Sequence, residues 1–75
     1  MIQSLTAECT YQITEDMKIG NCVFHKGDIV IYSSGGYSPY DDCYIYHFIG
    51  FNGTKFMCIT QVQLSSVDLG NFKII

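Results

Sequence analysis

The apolar and polar positions along this 75-residue chain form short β-type runs separated by turn signals. Residues 9–14 (Cys-Thr-Tyr-Gln-Ile-Thr) are rich in β-formers and alternate weakly, and Glu15-Asp16 reads as a turn. Residues 17–24 hold a short strand broken by the turn pair Gly20-Asn21. Lys26-Gly27-Asp28 leads into the β-branched run Ile29-Val30-Ile31-Tyr32. Residues 33–42 (Ser-Ser-Gly-Gly-Tyr-Ser-Pro-Tyr-Asp-Asp) read as the one long loop. Ser65 is placed to cap a single helical or 3-10 turn that Gly70-Asn71 stops, and Phe72-Lys73-Ile74-Ile75 reads as a last strand. Residues 1–7 fit either a short helix or a strand edge. Long helical periodicity is absent, and about five short strands predict a small barrel or sandwich.

Residues 43–60 carry the strongest pattern: two apolar strands joined by Asn52-Gly53, a hairpin signal. A two-residue loop there sets Phe48 against Met57, Tyr46 against Ile59 and Tyr44 against Gln61. On the other face it sets Phe51 against Thr54, Ile49 against Phe56, His47 against Cys58 and Ile45 against Thr60. Both faces are then apolar, whereas a sheet with one wet side alternates. The face of Phe48–Met57 and Tyr46–Ile59 is expected to need a cover.

The apolar fraction of 48%, with six Tyr and five Phe, is ample for one small domain spanning residues 1–75. Charged residues are only 15%, below the usual quarter or so, which favours association. Net charge is −3, and Lys18, Lys26, Lys55 and Lys73 are scattered singly. No basic stripe exists to neutralise phosphates, so no nucleic-acid partner is expected. Residues 1–10 lack a basic segment followed by a long apolar one, and no apolar run approaches the ~20 residues that span a bilayer. The reading is a cytoplasmic protein, not membrane-bound, with its four cysteines reduced.

Phe24-His25-Lys26-Gly27-Asp28-Ile29-Val30, the Asn52-Gly53 hairpin and the short turn at residues 65–69 before the last strand together resemble the Src-homology-3-like small barrels. The resemblance covers roughly residues 11–75. It implies an all-β fold: a small five-stranded barrel with a short 3-10 turn before the last strand. The chain has no Trp and lacks the Ala-x-Tyr-x-Tyr segment of the signalling domains. The barrel is therefore carried over, and proline-peptide binding is not. A short, acidic chain bearing Cys and Tyr is also similar to small accessory proteins of bacteriophages.

Candidate chemistry is sparse. Cys22 and His25 are three apart and Cys43 and His47 four apart. Residues four apart on a strand are about 13 Å from each other, too far to share one ion. No metal and no cofactor is assigned. His47 and Cys58 become cross-strand neighbours in the register above, the pairing a thiolate nucleophile needs, yet they sit mid-strand among Ile45, Ile49 and Phe56. A packed pair is the simpler reading, and no catalytic residue is assigned. Ser34-Gly35-Gly36 is not followed by a helix, so it is not read as a phosphate cradle.

Tyr32, Tyr37, Tyr40, Tyr44 and Tyr46 cluster in sequence beside Asp41 and Asp42. Tyrosine combines apolar area with a polar handle, and these seven residues are the candidate partner-binding set. The function expected is a non-enzymatic protein–protein interaction module, an inhibitor or adaptor of phage type. One alternative is a self-associating homo-oligomer, with a small ligand such as a nucleotide held between subunits. The other is a thiol enzyme or sensor using Cys58 or Cys43.

Overall fold

A computed structural model describes residues 4–75, and within them the chain is mostly β. Its elements are β1 (Thr10–Ile13), β2 (Met17–Ile19), β3 (Cys22–Phe24), β4 (Ile29–Ser38), β5 (Cys43–Gly50), β6 (Lys55–Thr60), α1 (Ser66–Gly70) and β7 (Phe72–Ile74). Five strands form one sheet in the order β6-β5-β4-β1-β7, and β2 and β3 form a separate ribbon. All the pairings are antiparallel. The expected five-stranded barrel is thus corrected: among the described residues the sheet stays open, and the ribbon packs on its β6 edge. Residues 1–3 lie outside the described part. Residues 4–9 form neither the helix nor the strand considered for that end.

Three other expectations change. The long loop at residues 33–42 is mostly strand, because β4 runs on to Ser38. Its Ser and Gly residues are poor β-formers, but the apolar β5 beside them pairs with them and overrides the local preference. The register shifts between Tyr32 and Ser34, a bulge that bends the strand. The turn before the last strand is α-helical, with the Leu69 N–H donating to the Ser65 carbonyl at 3.0 Å. Ser65 caps it, and Asp68 completes a capping box.

The third change is the β5–β6 register. The pairs formed are Tyr46 with Cys58, His47 with Met57 and Phe48 with Phe56, one residue away from the expected set. A two-residue type I′ loop needs φ > 0 at both central positions, and of Asn52 and Gly53 only Gly53 (φ 85°) has it. The connection is instead the three-residue loop Phe51-Asn52-Gly53. It is closed by the Gly53 N–H to the Gly50 carbonyl (2.9 Å) and the Gly50 N–H to the Thr54 carbonyl (2.8 Å). A one-residue slip exchanges faces. Tyr46, Phe48 and Cys58 are buried, while Met57 and Ile59 are 46% and 43% exposed.

Phe48 is the hub of the core. Its ring stacks on Phe56 (5.7 Å, 19°) and Phe72 (5.9 Å, 5°), and meets Phe24 and Tyr32 edge-on. Tyr11, Ile13, Ile19 and Val30 fill the space around it. The sheet's outer face carries Ile31, Ile45 and Ile49, half-buried, beside the exposed Met57 and Ile59.

Candidate functional site: a tyrosine-lined end of the sheet

The β4–β5 hairpin positions the tyrosines. Beyond the Ser33 bulge, Gly35 pairs with Tyr46, Gly36 with Ile45 and Tyr37 with Tyr44. Tyr37 and Tyr44 therefore meet across strands, edge to face, with centroids 5.4 Å apart. Below them Tyr32 and Tyr46 enter the core, and the Tyr46 hydroxyl accepts the Leu64 N–H at 3.2 Å. A Cβ at Gly35 would lie 2.5 Å from the Tyr32 hydroxyl and 2.6 Å from Tyr46 Cδ1, so both rings close over a bare backbone. The result is a cleft of about 280 Å³ lined by these four tyrosines, Gly35 and Gly36, with Leu5, Gln63, Leu64 and Leu69 on its other side.

The hairpin tip is residues 39–42, and its carboxylates brace it. The Tyr37 hydroxyl donates to Asp42 Oδ1 (2.5 Å), and Ser38 Oγ donates to Asp41 Oδ2 (3.0 Å). Asp42 takes φ 50°, a left-handed conformation that Asp tolerates better than most residues. The hydrogen bond to Asp42 is the main cause holding the Tyr37 phenol above its ordinary pKa. Burial raises Tyr32 likewise, with Tyr46 and Tyr11 adding to it. The Tyr37 and Tyr32 phenols are therefore neutral near pH 7. On the braced tip Tyr40 is 99% exposed.

The seven candidate residues thus divide. Tyr37, Tyr40, Tyr44, Asp41 and Asp42 form one surface at the end of the sheet. Tyr32 and Tyr46 are buried beneath it, with 9% and 7% of their surface left. Gly35, Gly36 and Leu64 belong to the same site and were missed. For the two glycines the Ser-Gly-Gly sequence was the only signal, and it reads as loop until a partner strand is supplied.

The Cys–His pairing is overturned by the register. His47 stands opposite Met57 on the outer face and is exposed, while Cys58 stands opposite Tyr46 in the core. Burial, then the neighbouring Cys22 thiol, pushes the Cys58 thiol well up, away from the thiolate a nucleophile needs. Among the described residues no three His, Cys, Asp or Glu side chains gather as a metal site would require. Among the described residues no helix is long and apolar enough to cross a membrane. Comparison with protein-family models, curated proteins and solved structures finds no match to this chain.

Proposed function

We propose that this chain is a non-enzymatic interaction module, which covers part of a partner protein through the surface of Tyr37, Tyr40 and Tyr44. The observation that carries the reading is Tyr40, an aromatic ring 99% exposed on a loop held by two side-chain hydrogen bonds. A rigid tyrosine offers large contact area with little entropy left to lose, and a braced loop reduces the ordering cost of binding. Asp41 and Asp42 at the rim favour a basic patch on the partner.

An interface of ~800 Å² per partner would take roughly a sixth of the 4930 Å² surface, so one end of the domain would be consumed. The strand order, the ribbon between β1 and β4, and the helical turn before β7 support the Src-homology-3-like reading, with the sheet open. Small size, acidity and sparse charge support an inhibitor or adaptor of bacteriophage type that acts by covering its target.

The test compares Tyr40→Ser with Val67→Ser, a change at another exposed apolar position. Capture of a partner by immobilised protein is lost in the first and kept in the second, with both folded by circular dichroism. Equal capture by both would refute the reading. A second reading, self-association, is favoured by the outer face, where Met57 and Ile59 are exposed beside three half-buried isoleucines. A dimer in light scattering that Met57→Lys dissolves would establish it, and a strict monomer would remove it.

A further inference from the structure

We propose that Cys22 and Cys58 form an oxidation site, two thiols that a small-molecule disulfide converts to an internal disulfide clamping the β2–β3 ribbon to the sheet edge. In β3, Val23 points outward (59% exposed), while Cys22 and Phe24 turn toward the core. In β6, Cys58 faces the same core and is wholly buried. The ribbon grips the β6 backbone on either side of Cys58. Asn21 Nδ2 donates to the Met57 carbonyl (3.4 Å), and Asn21 Oδ1 accepts the Ile59 N–H (2.7 Å). Cys22 Sγ donates to that same Met57 carbonyl at 3.3 Å. The two thiols therefore flank the same Met57–Cys58 backbone at one junction, where Cys22 adds to the burial that keeps Cys58 protonated. Cys9 lies ahead of β1 and Cys43 opens β5, so neither belongs to this junction.

The half-buried Cys22 is the sulfur that reagents reach. Its thiolate attacks one sulfur of the disulfide, breaking that S–S bond and releasing one thiolate, which leaves a mixed disulfide on Cys22. Cys58 then gives up its proton and attacks Cys22 Sγ, displacing the second thiolate. Both thiolates are protonated by the two protons lost. The protein loses two hydrogens and two electrons, and the reagent disulfide becomes two thiols. Placement of Cys22 Sγ on the Met57 carbonyl, one residue from Cys58, makes the second step intramolecular and compensates for the scarcity of the Cys58 thiolate. Closure joins two elements far apart in sequence and holds the ribbon over the Met57 and Ile59 backbone groups.

The test treats the full chain with oxidised glutathione under native conditions, alkylates free thiols and maps peptides. The expected product is a monomer lighter by two hydrogens, with Cys22 linked to Cys58 and with Cys9 and Cys43 alkylated. Exchange of the Ile59 amide slows by roughly tenfold or more, since the closed loop removes chain entropy, and reduction restores it. Cys22→Ser yields no link. Glutathione retained on Cys22, linkage only through Cys9 or Cys43, or four free thiols would each overturn the proposal. The mapping of the unaltered chain decides even if the variant fails to fold.

Discussion

Asn21 pairs with Ile59 as another strand would: its Oδ1 accepts the Ile59 N–H at 2.7 Å, and its Nδ2 reaches the Met57 carbonyl at 3.4 Å. β6 is a sheet edge, and edges expose backbone groups to wrong partners. One carboxamide satisfies two of those groups and docks the ribbon. Asn21→Ala should lower stability by about 1–2 kcal/mol, from two partly solvated hydrogen bonds. It should also speed exchange of the Ile59 amide more than that of amides within β4. Urea unfolding and hydrogen exchange measure both. Asn21→Asp, which accepts but cannot donate to Met57, should fall between.

Gly35 and Gly36 are neighbours with different environments. A Cβ at Gly35 collides with the Tyr32 hydroxyl and Tyr46 ring, and one at Gly36 meets nothing within 4 Å. Gly35→Ala should cost about 1–3 kcal/mol and disturb the tyrosine cleft. Gly36→Ala should be neutral or slightly stabilising, by limiting the unfolded chain. Urea midpoints of the two variants give the comparison directly.

Stability should hold to about pH 9 and fall above it. Burial, then Cys22, raises Cys58, and burial raises Tyr32. Both are neutral acids whose folded pKa lies above the unfolded one. Their stabilisation is complete below the unfolded pKa and is lost as pH rises through the folded one. The ordinary values are near 9.0 for the thiol and 10.0 for the phenol, so the thiol leads. One such group gives a slope of about 1.4 kcal/mol per pH unit. Unfolding between pH 7 and 11 checks it, and Cys58→Ser should flatten the first part of the decline.

The observed register assigns Phe56 to the core against Phe48 and turns Met57 outward. Phe56→Ala should cost about 2–4 kcal/mol, and Met57→Ala less than about 1. Similar losses at the two positions would fit the other register.

Much of the fold was legible in the residues. The strands at residues 9–14 and 29–32, the turn at Gly20-Asn21, the cap at Ser65 and the last strand all carry local signals that the structure keeps. What failed depended on distant partners. Ser33 to Ser38 became strand only because β5 lies alongside. Asn52-Gly53 marked the hairpin but not its loop length, and a single residue there exchanged the faces. Five candidate residues share one surface, while Tyr32 and Tyr46 were drawn inward by the core around Phe48. An apolar second face persists, but Met57 and Ile59 now share it with Ile45 and Ile49, while Phe48 and Tyr46 turn into the core.

The most direct measurement places a photoreactive benzoylphenylalanine at position 40, or at position 67 as a second exposed position for control, and irradiates cells making each protein. The account predicts a discrete heavier adduct with one other protein from position 40, suppressed by excess unaltered chain, and none from position 67. The same labelling from both positions, or none from position 40, would contradict it.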